Sequence, residues 1–242
     1  MTDKDFLNDW VGKTIHIATT DPPSTWTLEE KLNDKHVQVS AAEYHQSPGV
    51  SAAFAGFICR NVEDSKDIAF VRVFVQILYA GSDWAIHGER AGQSSENLPW
   101  HGREELDNLQ ALSASGCTSV PHLRAHEITK QGEDSDFVPG GFLHYNLLDK
   151  ARGVQLDEET FWAYSREERD AIREGFRDAC RYVPLPVSVS LLVSVLPRLI
   201  VAAGSECVRA GVYGEQAALD QLFWDTATGK VDVAPFHFMS YC

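Results

Sequence analysis

Residues 68–78, IAFVRVFVQIL, constrain this chain more than any other stretch. They are mostly β-branched or aromatic and contain neither glycine nor proline, so they read as a strand rather than a helix. Arg72 is the one charge among them. Residues 26–28 and 36–39 suit short strands, and Ser47-Pro48-Gly49 suits a turn. Residues 81–99 are polar and rich in glycine and serine, which predicts a loop.

Further along, Leu106, Leu109 and Leu112 recur at helical spacing within residues 104–114, with Gly116 as the C-terminal stop. Val120-Pro121 suits an extended segment, and residues 130–136 a charged turn. Residues 141–148, GFLHYNLL, read as a strand, followed by a polar connector over 149–153. The clearest helix starts at Ser165. Ser165 and Glu168 form a capping box, in which each side chain satisfies an amide of the first turn. Ile172, Phe176, Ala179 and Cys180 then make one apolar stripe. Residues 219–224 and 230–234 are expected to be two strands joined by the turn Asp225-Thr226-Ala227-Thr228-Gly229.

Charge narrows the function classes. The formal net charge is −14 over 242 residues. An acidic field repels phosphate backbones and anionic lipid, so neither nucleic acid nor membrane is an expected partner. The five cysteines lie far apart, with no C-x-x-C pair. That pattern fits neither a disulfide framework nor a thiolate zinc site, and suits a reducing compartment. The first ten residues are polar and acidic, with no apolar signal core, so a cytoplasmic location is expected. His122 and His126 stand four apart, but just beyond Pro121 in an extended segment, where that spacing does not form a metal pair. No Gly-x-Ser-x-Gly elbow is present. Trp84, Trp100, Trp162 and Trp224 are expected to be packing residues.

Residues 182–204, YVPLPVSVSLLVSVLPRLIVAAG, differ from their surroundings, with no acid, one arginine and three prolines. Three readings stand open. One is a packed insert or buried hairpin. A second is a membrane span over about 187–203, against which Pro184, Pro186 and Pro197 leave too short an unbroken run. The third is a translated, unspliced intron. Deleting the segment joins Arg181 to Ser205 and places Cys207 four positions after Cys180, extending the Ile172–Phe176–Cys180 stripe. A mature transcript carrying these codons would reject that last reading.

Several short stretches, taken in order, carry a resemblance. Residues 105–123 (ELDNLQALSASGCTSVPHL) look like a stretch in which a Glu-bearing helix leads into a GC–x–x–VP–x–L word. Residues 137–153 (FVPGGFLHYNLLDKARG) look like a last small-lobe strand and hinge. Residues 165–176 (SREERDAIREGF) look like the helix before a catalytic loop, and residues 211–225 (GVYGEQAALDQLFWD) like that loop itself. Over roughly 68–238 the chain thereby resembles degenerate protein-kinase-like proteins of filamentous fungi. The resemblance implies an α+β, two-lobed kinase-like fold, truncated after the metal-binding motif. Residues 1–148 would form a β-rich small lobe with one helix. Residues 149–242 would form a partial large lobe with an apolar insert at about 182–204.

Carried over residue by residue, the resemblance puts Arg72 where a kinase keeps its phosphate-binding lysine and Glu105 at the helix glutamate. An arginine keeps the charge but not the ammonium geometry. These two are vestigial nucleotide-site positions. The catalytic aspartate, the asparagine and the metal aspartate fall on Gln216, Gln221 and Pro235. Gln216 cannot accept a proton near neutrality, and Pro235 offers a hard cation no side-chain oxygen. A register slipped by one offers Glu215 and Asp220 instead. No glycine-rich phosphate loop occurs in the first sixty residues.

Binding of ATP and magnesium is therefore not expected. The implied function is an interaction role without phosphoryl transfer, with a protein or a small molecule as partner. Two alternatives stand beside it. One is a repurposed enzyme acting on a small organic molecule, with Glu215, Asp220 and His237 as candidate acid–base residues. The other is a cryptic phosphotransferase that uses Glu215 and Asp220.

Overall fold

The computed structural model describes residues 6–46, 50–180 and 222–233. Its strands are β1 (Thr14–Ile17), β2 (Ser24–Val37), β3 (Ala52–Asn61), β4 (Ile68–Gln76), β5 (Leu123–Lys130), β6 (Phe142–Asp149), β7 (Val154–Gln155), β8 (Leu222–Asp225) and β9 (Lys230–Val233). Its α-helices are α1 (Ala41–Gln46), α2 (His87–Ala91), α3 (Trp100–Ala114), α4 (Glu158–Ala163) and α5 (Arg166–Cys180).

Six strands form one antiparallel sheet in the order β1-β2-β3-β4-β6-β5. Its central strands are buried on both faces and largely apolar, which is why residues 68–78 and 141–148 read so clearly as strands. The register of β2 against β3 shifts between Leu28 and Glu30 and again between Lys31 and Asn33. Such irregularities bend a strand and increase its twist. The sheet curls until its two edges meet. The Glu127 carboxylate on β5 accepts from the amides of Ala18 and Thr19, just past β1, at 3.0 and 3.2 Å. The Thr19 hydroxyl donates to the His126 carbonyl at 2.5 Å.

This architecture overturns the α+β, two-lobed kinase-like fold that the resemblance implied. The described chain is mostly antiparallel β, dominated by a nearly closed, barrel-like sheet, with few helices. The reason is physical. Each matching word fixes a local conformation, while fold is decided by strand pairing and curvature, which short words do not encode.

The described residues divide into two compact units. The first holds the residues up to Arg103 together with Leu123–Lys150. Inside its curled sheet, Ile15, Ile17, Trp26, Leu28, Ala55, Phe57, Val71, Val73, Val75 and Leu147 form the core. The second holds Glu104–His122 and the residues from Ala151 on, so most of α3 belongs with the later part of the chain rather than with the first 148 residues. Here α4, α5 and the three-stranded sheet β7-β8-β9 enclose Leu156, Phe161, Ile172, Phe176, Leu222, Trp224 and Val231.

The start of α5 is the capping box read from the sequence. Ser165 N–H donates to Glu168 Oε2 at 2.9 Å, and Glu168 N–H donates to Ser165 Oγ at 3.1 Å. At Gly153 the backbone has φ +87°, and a Cβ there would lie 2.1 Å from the Trp224 carbonyl oxygen, so only glycine fits. Among the described residues no helix is long and apolar enough to cross a membrane.

Candidate functional site

Successive residues of a strand face opposite sides of a sheet. The odd-numbered residues of β4 face the core of the first unit, and the even-numbered ones make a second face. Register lines up Asn33 (β2), Gly56 (β3), Arg72 (β4), Asn146 (β6) and His126 (β5) in one row across it. The adjacent row is Lys35, Phe54, Phe74, His144 and Ile128.

Arg72 is 3% exposed. Its guanidinium donates to Asn33 Oδ1 at 3.0 Å and lies over the rings of Phe54 and Phe74, at 5.0 and 5.6 Å from their centroids. The lone charge of residues 68–78 is therefore held by an amide and two π faces, each a stabilising partner for a buried cation. The Gly56 amide donates to the same Asn33 oxygen at 3.2 Å.

His144 and Asn146 differ from Arg72. Both are 0% exposed. Neither imidazole nitrogen of His144, and neither polar atom of the Asn146 amide, has a hydrogen-bond partner. The His144 ring stacks on Phe74 at 5.7 Å and meets His126 edge-on at 6.4 Å. Burial, and then the charge of His126, push its pKa down to about 4. The Asn146 amide opposes this, lying nearby but outside hydrogen-bonding geometry. His144 is thus neutral at physiological pH.

The same unit shows how buried amides are ordinarily treated. Gln76 donates to the Gln93 carbonyl at 2.6 Å and accepts from Ser95 N–H at 2.9 Å. Gln93 donates to Ser82 Oγ and accepts from Tyr79 N–H, each at 3.2 Å. Gln131 donates to the Gln76 carbonyl at 2.8 Å and accepts from Ser135 Oγ at 2.6 Å. An unpaired buried polar group costs roughly 1–3 kcal/mol, so the four unpartnered atoms of His144 and Asn146 set this pair apart from the glutamines.

A second candidate lies at the surface of the same unit. Trp84 is 96% exposed and Ile86 70% exposed. Their loop is braced. The Ser82 and Ala85 amides donate to the Tyr79 and Ser82 carbonyls at 3.1 and 3.0 Å. Beyond the loop, α2 is fastened by His87 Nε2 donating to the Glu133 carbonyl and Arg90 donating to the Asp136 carbonyl, both at 2.7 Å. Exposed Asp83, Glu89, Glu133, Asp134 and Asp136 belong to these segments. The sequence reading gave Trp84 and Trp162 a packing role, yet they are 96% and 57% exposed, whereas Trp224 is buried. Part of the segment read as loop, His87–Ala91, is helix α2.

Of the residues named from the sequence, Arg72 and Glu105 are both buried, but they belong to different units. Glu215, Gln216, Asp220, Gln221, Pro235 and His237 lie outside the described residues, as does the whole of 182–204. His126 is on β5 beside His144, and among the described residues no group of His, Cys, Asp and Glu could hold a metal ion. The sequence reading missed His144 and Asn146. Their signal is two polar residues at alternate positions of an otherwise apolar strand, which puts both on one buried face. No protein-family model matches the chain, and no curated protein matches it.

Proposed function

We propose that this chain is a binding protein that docks a protein partner and does not transfer phosphate. The observation that carries the reading is Trp84, almost wholly exposed beside Ile86 on a loop held by hydrogen bonds at both ends. An exposed indole has a large apolar area to bury on docking, and tryptophan is enriched among residues that dominate binding. A braced loop loses little entropy on docking. The carboxylates of Asp83, Glu89, Glu133, Asp134 and Asp136 favour a basic partner surface that offers an apolar pocket for the indole.

The test is photo-crosslinking from position 84, paired with affinity capture by the wild type and by Trp84→Ala. The expected result is one crosslinked partner, held by the wild type, released as salt is raised, and lost by at least tenfold in Trp84→Ala at unchanged Tm. A partner retained equally by the variant overturns the docking surface. Stabilisation of the wild type by ATP and magnesium overturns the non-catalytic reading.

A further inference from the structure

The structure assigns to the buried face of β6 a second site, separate from the Trp84 loop, where His144 and Asn146 hold a small, planar, uncharged molecule with an amide-like edge. Four polar atoms on two fully buried side chains lack partners there, in a unit that pairs the side chains of Gln76, Gln93 and Gln131.

Their chemistry selects the ligand. A neutral imidazole has one donor and one acceptor, and a carboxamide has two donor hydrogens and one acceptor. A carboxylate only accepts, so it would leave the Asn146 oxygen and one His144 nitrogen unpaired. A molecule presenting both N–H and C=O on one edge pairs both kinds. Planarity follows from the surroundings, since Phe74 stacks on His144, and Phe54 flanks the same row. Arg72 lies directly opposite Asn146 and donates to Asn33, so a charged probe tests whether its cation draws an anion here. The row continues from Asn146 to half-buried His126 on β5.

Benzamide and benzoate test this directly, because they share a shape and differ in charge and in donor content. The measurements are thermal shift and the imidazole 15N resonances of histidine-labelled wild-type protein. Benzamide at about ten times its Kd is expected to raise Tm by roughly 3 °C and to move the His144 resonances, with benzoate doing neither. Asn146→Leu and His144→Phe, the latter keeping the ring against Phe74, are expected to lose the benzamide shift. Binding of benzoate in preference to benzamide overturns the donor–acceptor assignment. His144 resonances unmoved by either probe at millimolar concentration overturn the site, leaving ordered water as its only occupant. The resonance measurement uses the wild type and so holds even if a variant fails to fold. The Trp84→Ala protein should give the wild-type benzamide response, which keeps this test separate from the docking surface.

Discussion

A neutral histidine in the interior makes stability depend on pH. His144 has its pKa pushed from 6.5 to about 4, first by burial and then by the charge of His126. As pH falls below 6.5 the unfolded chain takes up a proton at this residue, and the folded chain does not until about pH 4. The unfolded state binds more protons across that window, so stability drops as pH is lowered. The contribution is intact above 6.5 and lost progressively down to about 4, amounting to roughly 3 kcal/mol. Denaturant titrations near pH 7 and about pH 4.5 should show this loss in the wild type. His144→Phe keeps the stacking on Phe74 and should flatten that part of the profile. An equal slope in both proteins would place the acid sensitivity elsewhere. Burial also pushes the Cys59 thiol up to about 12, so this cysteine is a core residue and not a nucleophile.

Elements differ in how plainly the sequence announces them, and the differences have causes. The central strands β4 and β6 are buried on both faces, so most of their residues are apolar. β3 is equally buried but built from Ala52, Ala53, Ala55 and Gly56, whose small side chains carry little strand preference. β2 reads as two fragments because its middle, charged and only partly buried, resembles a loop. Its pairing becomes legible only in the register that sets Asn33 beside Gly56. Curvature is the hardest feature to foresee, because it depends on a contact between residues about a hundred positions apart. Glu127 makes that contact, holding the amides of Ala18 and Thr19. Glu127→Ala removes the acceptor and should cost about 1–2 kcal/mol. Amide exchange at Ala18 and Thr19 should accelerate while β3 and β4 stay protected. Unchanged exchange at those two amides would show that the seam is closed by other contacts.

At the scale of the whole molecule, local readings survived where the assembled picture did not. The Leu106–Leu109–Leu112 helix, the Ser165 cap and the turn at Asp225 are all present, yet the kinase-like arrangement built from such pieces is replaced by a curled sheet and a second unit. Arg72 is named as a site residue only because the resemblance sets it at a kinase's phosphate-binding lysine. His144 and Asn146 are not, because two neutral polar residues in a largely apolar strand draw little notice.

What organises the second unit is an ion pair that no motif signals. Asp232 on β9 has a side chain only 7% exposed and accepts from Arg152 three times, from the backbone N–H at 2.9 Å and from the guanidinium at 3.0 and 2.8 Å. The same guanidinium donates to the Thr118 carbonyl at 3.1 Å, and Val233 N–H donates to the Ser119 carbonyl at 2.8 Å, so β9 and the connector after α3 are tied together. The two partners are not equivalent. Arg152 is half-exposed and can turn to water when its carboxylate is lost, whereas Asp232 cannot. Arg152→Ala should therefore cost about 3–5 kcal/mol, and Asp232→Asn, which leaves no buried charge behind, roughly half of that. Amide exchange in β8 and β9 should accelerate in Arg152→Ala, while β3, β4 and β6 keep their protection. Equal costs for the two substitutions would mean that the carboxylate reaches solvent without its arginine, and the pair would then be an ordinary surface contact.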